Sequence, residues 1–205
     1  MNMNNLSGQS KKVSARILAS IALCSAVSFI LMMLDFPLPI VPSFIQFDFS
    51  ELPALICAFA LGPLAGVFVE LIKNILHLFV TSTAGVGELS NFILGCSLVL
   101  PAGIIYKHHK TRKNALIGML AGTLCFGFVS LLSNYFIMFP FYIKAMGFPL
   151  EAIIAMGTEI SPLFDSELKL ILLCVVPFNL VKGLIISLLT FVLYKHLRPI
   201  IKGRR

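Results

Sequence analysis

Residues 17–34 of this chain read ILASIALCSAVSFILMML, eighteen positions without a charged side chain. A helix needs about 18–20 apolar residues to cross the hydrocarbon core of a bilayer. Further apolar stretches run from Leu52 to Val80, Leu89 to Tyr106, Ala115 to Ile143 and Leu170 to Tyr194. A soluble domain of this size has no use for five of them. The fold class they imply is an all-α integral membrane protein. The expectation is a single transmembrane domain over 1–205, with a short basic arm at 1–16 and a short basic tail at 195–205.

Composition supports the same class. The chain is 58% hydrophobic and 12% charged, against about 45–50% and 25% in soluble domains. The net charge of +7 does not point to nucleic acid, because the basic residues sit at the ends of apolar runs and not on a soluble face. Cys24, Cys57, Cys96, Cys125 and Cys174 all fall inside apolar runs without a CxxC pair. Free thiols are therefore expected, and no metal site. Lys11, Lys12 and Arg16 precede the first run as they would in a signal peptide, but Leu34–Pro39 (LDFPLP) has no small-x-small cleavage site. The run reads as a retained first helix.

The apolar pattern divides into helices at 17–34, 51–61, 63–80, 88–106, 115–142 and 167–194. The second and third are separated at Gly62-Pro63, and charge decides whether they count as two. Segment 1–16 carries three Lys/Arg, loop 107–114 carries four and tail 195–205 carries five. Six crossings place all three on the cytoplasmic side of the cell membrane with both termini, as the positive-inside rule requires; five crossings would put loop 107–114 outside. The outer connections 35–50, 81–87 and 143–166 then hold only Lys144. Helix 51–61 is too short to span alone, so neighbouring helices must shelter it or the preceding loop extend it. Ser50 is its expected N-cap, and Pro53 falls in its first turn.

Two outer connections carry a pattern. In 35–50 (DFPLPIVPSFIQFDFS), Gln46, Asp48 and Ser50 alternate with Phe47 and Phe49, which predicts an extended segment. It is either an interfacial linker or an aromatic lid. In 143–166, LEAIIAM after Pro149 predicts a short helix.

Polar groups inside a membrane are costly, so they point to function or to tight internal pairing. With this topology His77, Asn91, Asn134, Asn179 and Lys182 reach similar depth in the outer half of four helices, the layout of a pocket open to the outside beneath the outer loops. Asn179 and Lys182 stand at i and i+3 and share a face, while Pro177 frees a backbone carbonyl nearby. An amide offers donor and acceptor and Lys offers donors only, which suits a planar ring edge of alternating carbonyl and N–H groups. The competing reading is helix–helix glue, with Lys182 paired to Glu70 or to an outer acid. Glu70, Lys73, Asn74 and His77 form a stripe on one helix, in which Glu70 and Lys73 neutralise each other and no second acid at that depth completes a proton relay. Candidate pocket residues are thus Asn74, His77, Asn91, Asn134, Asn179 and Lys182, with Phe44 and Asp48 from the 35–50 segment.

Small residues recur at Ala15-xxx-Ala19 and Ala22-xxx-Ala26, and at Gly118-xxx-Gly122. Such spacing allows close helix approach. The glycines read as internal packing; the alanines are also candidates for docking another membrane subunit. There is no phosphate-binding loop, H-E-x-x-H site or G-x-S-x-G elbow. The chain reads as no enzyme, and as having no energy source of its own.

Phe47–Leu55 (FDFSELPAL), Leu61–His77 (LGPLAGVFVELIKNILH), Gly87–Phe92 (GELSNF), Asn134 and Asn179-x-x-Lys182 together resemble the substrate-binding (S) components of energy-coupling-factor vitamin transporters, most closely the riboflavin-specific branch. The resemblance covers nearly the whole chain. It implies a partner transmembrane (T) subunit, contacted by the helix 1 alanines, and two ABC-type ATPases. It implies that Asn134, Asn179 and Lys182 hold a flavin ring covered by the 35–50 loop, with riboflavin as cargo and no cofactor. The tryptophan-rich site of thiamine-specific relatives is absent, since the chain has no Trp. Phe44, Phe47 and Phe49 would cover the ring. Lys182 would equally suit a carboxylate, which leaves biotin and pantothenate beside a flavin.

Overall fold

A computed structural model describes residues 15–202, with side chains from 15 to 194. Lys11 and Lys12 of the basic arm, and the basic side chains of the 195–205 tail, lie outside the described residues. The elements are α1 (Ala15–Met33), a two-strand hairpin β1 (Phe36–Pro37) and β2 (Gln46–Phe47), α2 (Glu51–Leu61), α3 (Pro63–His77) running on as a 3₁₀ turn to Val80, and α4 (Val86–His108). Next come α5 (Arg112–Ser133), a π-helical turn (Asn134–Met138) and α6 (Phe139–Lys144), which form one rod. After α7 (Leu150–Thr158), α8 (Glu167–Leu170), a second π-helical turn (Ile171–Val175) and α9 (Val176–Lys202) form another.

Five of these helical units are long and apolar enough to cross a membrane. The protein is a multi-pass membrane protein, and its surface is arranged accordingly. On α3, Leu64, Phe68, Leu71, Ile75 and Phe79 make an exposed apolar stripe, while Gly66, Val69, Glu70, Lys73 and Asn74 are buried. A soluble helix has these faces the other way round.

The 51–61 helix is a separate element, because Gly62 takes φ 112° and Pro63 then opens α3. At that φ a Cβ is disfavoured, and proline suits the first helical position. Nine of the eleven residues of α2 are buried, so its short length is sheltered by α1, α3, α4 and α9. Ser50 does precede α2, but its hydroxyl makes no capping bond. Asp48 Oδ1 instead accepts from the Ser50 N–H at 2.7 Å, and the Ser50 hydroxyl accepts from Lys73 Nζ at 2.7 Å. A buried ammonium outbids a backbone amide for that oxygen, since hydrogen bonds to charged groups are the stronger ones.

Gly118 and Gly122 of α5 lie against the backbone carbonyls of Ala102 and Leu98 on α4. A methyl at either position would press into that carbonyl, so this spacing serves internal packing. Ala15, Ala19, Ala22 and Ala26 all face outward on α1. The cysteines are free thiols.

Both π turns end two residues before a proline: Met138 before Pro140, and Val175 before Pro177. A proline inside a helix removes one N–H and drives its ring toward the carbonyl four residues back. Widening the preceding turn to i→i+5 bonding relieves that clash, and Phe139 N–H and Val176 N–H bond Asn134 O and Ile171 O in this way. The chain thus keeps two long rods through two prolines, with Asn134 at the start of one widened turn and Asn179 just beyond the other.

Candidate ligand-binding site

A cavity of about 420 Å³ lies at the end of the bundle that carries the 34–50, 81–85 and 145–149 connections. The opposite end carries the basic 107–113 loop. The volume falls within the range of small-molecule pockets, about 300–1,000 Å³. Phe44, Asp48, His77, Asn91, Asn134, Asn179 and Lys182 all line it. Asn74 does not: it is buried within α3, where its amide donates to Glu70 O at 2.8 Å.

The 34–50 connection closes one side. Its hairpin pairs Phe36 with Phe47 and Pro37 with Gln46, and the Gln46 amide bonds the Asp35 carboxylate. The alternation in 46–50 is real, but its faces are the reverse of an aromatic lid. Gln46 and Asp48 face the cavity. Phe47 turns away into a cluster with Phe36, Phe49 and Phe178, at ring separations of 5.6, 5.1 and 6.2 Å. Of the three phenylalanines expected over a ring, only Phe44 lines the cavity, packed edge-on to Phe139. Burying Phe47 and Phe49 against the bundle removes more apolar surface from water than covering a cavity mouth would.

The amides share one habit. Asn134 and Asn179 each donate to the carbonyl four residues back, Ser130 O and Val175 O, at 2.9 Å. Each bond fixes the side chain, and both residues line the cavity. Asn91 Oδ1 is buried and has no hydrogen-bond partner. A buried polar atom left in that state calls for an explanation, and a ligand donor is one.

The ionised groups are paired with each other. Lys182 Nζ stands 2.7 Å from Asp48 Oδ2 and 3.2 Å from Glu51 Oε2. Lys73 Nζ stands 3.3 Å from Glu51 Oε1 and 2.8 Å from Glu70 Oε2. The chain of contacts therefore runs Asp48–Lys182–Glu51–Lys73–Glu70, and all five are buried. Lys182 pairs with outer acids and not with Glu70. Burial alone would raise the Asp48 carboxyl, but the Lys182 and Lys73 charges hold it below the usual carboxylate range. Gly95 of α4 backs the Glu70 carboxylate so closely that a methyl there would overlap it.

Two acids of the site are not singled out by sequence pattern. Glu51 links both lysines and is the second acid that the stripe on α3 lacked. Glu88 gathers His77 Nδ1 at 2.8 Å, Thr81 Oγ1 at 2.9 Å and Thr83 Oγ1 at 3.2 Å, pinning the 81–85 connection at the rim of the cavity. Both stand in the first turn of a helix, where an acid is expected for the helix dipole alone. Their signal was the position at membrane depth.

The family described as ECF transporter, substrate-specific component, matches residues 16–194. The chain is 34% identical over 186 residues to the riboflavin transporter RibU of Staphylococcus aureus, covering 90% of this chain and 92% of that one. It is 33% identical over 192 residues to the riboflavin transporter FmnP of Bacillus subtilis, covering 92% and 95%. A solved structure of the S component of a bacterial ECF transporter superposes with a TM-score of 0.71 at 31% identity, over 91% of this chain and 98% of that one. The chain belongs to the substrate-specific components of the ECF (energy-coupling factor) transporters.

Proposed function

We propose that this S component binds riboflavin in the cavity beside the 34–50 connection and delivers it for uptake by an ATP-driven ECF transporter. It is a transport protein and not an enzyme, and riboflavin is its cargo, not a cofactor. The carrying observation is the convergence of Asn91, Asn134, Asn179 and Lys182 on one cavity. Amides match the alternating carbonyl and N–H groups of a flavin imide edge. A carboxylate ligand such as biotin or pantothenate would need a cation with unbalanced charge. Lys182 already faces two carboxylates, and Asp35 and Glu88 add negative charge to the wall. That favours an uncharged ring. The riboflavin transporters among the relatives support the same ligand.

The partners are a T subunit and two ABC-type ATPases, and the outward-facing Ala15, Ala19, Ala22 and Ala26 are the docking face for the T subunit. Residues 1–205 form one transmembrane domain in the cell membrane, with six crossings and both termini cytoplasmic. The twelve Lys/Arg of the arm, the 107–114 loop and the tail, against Lys144 on the other side, support this orientation.

Purified protein titrated with riboflavin should quench flavin fluorescence saturably and carry a flavin visible spectrum. No quenching, with saturable binding of a different vitamin, overturns the ligand. In a background without the native cysteines, cysteines at Lys110 and Gly85 should label from opposite sides of the membrane; labelling of both from outside sinks the six-crossing arrangement. Bulky residues at Ala19 and Ala22 should abolish uptake and spare riboflavin binding. Equal loss of binding would mean that these alanines pack internally.

A further inference from the structure

An ammonium has three N–H donors and can turn freely on its stem. In this structure Lys182 Nζ is not free to turn. Asp48 Oδ2 takes one direction at 2.7 Å and the Glu51 carboxylate takes another at 3.2 Å. Glu51 Oε1 also accepts from it, at 3.4 Å. Among the described residues Asp48 and Glu51 are the acids that hold this ammonium, and Lys182 lines the cavity, so the two acids set how it is presented there.

The two acids come from different places. Glu51 opens α2 and is itself held by Lys73 at 3.3 Å. Asp48 lies on the 34–50 connection, one residue after the hairpin strand β2, and its other oxygen accepts from the Ser50 N–H at 2.7 Å. Asp48 is 5% exposed, so its pairing is not a surface ion pair of small worth. The connection is therefore anchored to α9 through the same ammonium that faces the cavity.

We infer that Asp48 and Glu51 are positioning residues for Lys182: they do not read the ligand themselves, but hold the ammonium that does, and Asp48 makes the seating of the 34–50 connection a condition of ligand recognition. The inference rests on the reading that the cavity takes riboflavin, and it moves Asp48 from a ligand contact to a residue acting through another. Loss of Asp48 leaves Lys182 with one acceptor and free to swing, so bound ligand escapes faster. Entry is little affected, because the groups that meet the ligand first are unchanged. Changes in how firmly a seated ligand is held fall mainly on the dissociation rate.

A mutant cycle tests it, using the full chain in lipid nanodiscs and riboflavin fluorescence quenching by stopped flow. The variants are Asp48→Asn, Lys182→Met, the double variant, and Asp48→Glu. Asp48→Asn should raise the dissociation rate by about tenfold or more, and Asp48→Glu, which keeps the charge, should recover most of that loss. The double variant should bind no more weakly than Lys182→Met alone, because Asp48 has nothing left to position. If the two losses instead multiply, Asp48 touches the ligand or acts elsewhere, and the inference is wrong. An unchanged dissociation rate in Asp48→Asn also overturns it. Should Asp48→Asn fail to fold, the double variant, which removes both members of the pair, is compared with Lys182→Met, and weaker binding by the double variant overturns the inference. Failure of the wild-type protein to quench flavin fluorescence would count against riboflavin. In that case the thermal stabilities of the same variants still read the Asp48–Lys182 coupling, which should exceed the additive expectation.

Discussion

Two sets of polar residues lie inside this bundle, and they behave oppositely. The ionised set, Asp48, Glu51, Glu70, Lys73 and Lys182, is paired within itself. The amide set, Asn91, Asn134 and Asn179, lines the cavity: Asn134 and Asn179 each spend one N–H on a backbone carbonyl, and Asn91 Oδ1 has no partner. A buried charge without a partner is far more costly than a buried amide without one. The charges therefore had to be satisfied by the protein itself, whereas the amides can wait for a ligand. On the proposed function the paired charges hold the helices together and the amides lining the cavity are left for the ligand, with Lys182 belonging to both sets.

Breaking the ionised set should give the largest effect. Lys73→Met strands Glu70, leaves Glu51 with Lys182 alone, and should cost about 3–5 kcal/mol of stability, read as a large fall in the thermal unfolding midpoint in detergent. A midpoint close to wild type would show that the network is not what secures α2 to α3. Asn179→Ala comes next and should act on the ligand. It should weaken riboflavin by about 1–3 kcal/mol, roughly five- to 150-fold, with little change in midpoint. A flavin analogue lacking the imide should lose much less. Equal losses for both ligands, measured by calorimetric titration, would make Asn179 a packing residue. Asn74→Ala isolates the difference between lining and not lining. Asn74 makes the same bond to the carbonyl four residues back, but away from the cavity, so its removal should cost about 0.5–1.5 kcal/mol of stability and leave affinity unchanged. The smallest effect belongs to Lys169→Ala. Its pair with Asp165 is exposed, and neither midpoint nor affinity should move measurably.

Most of the helical layout was legible because apolar runs dictate it. Helix 51–61 was found to the residue, since Gly62-Pro63 ends one helix and begins the next by backbone geometry alone. The π turns were not found. Pro177 announced a disturbed hydrogen bond, but whether a helix kinks, stops or widens at a proline depends on what packs around it. The candidate site was read as a set of depths, and seven of its eight residues line one cavity. It was not legible as contacts. Facing Lys182 to Asp48 joins positions 134 apart, and no local spacing encodes such a pair. The same limit hid which side of the 46–50 segment met the cavity. Alternation defines two faces without saying which is inward, and the two aromatic rings Phe47 and Phe49 suggested the wrong one.

The widened turn at Ile171–Val175 has a consequence for how this chain tolerates change in length. Each residue of an α-helix advances the side chains by about 100°, and a π turn absorbs one more residue than an α turn without shifting the helix beyond it. The turn acts as a length buffer between the two halves of the rod. Deleting a single residue from it would restore a regular helix and leave Asn179 and Lys182 facing the same way. Once that slack is gone, a second deletion has nothing to absorb it and would turn both by about 100° relative to Leu170, so a chain that still read as membrane-spanning would no longer point its amide and ammonium at the same space.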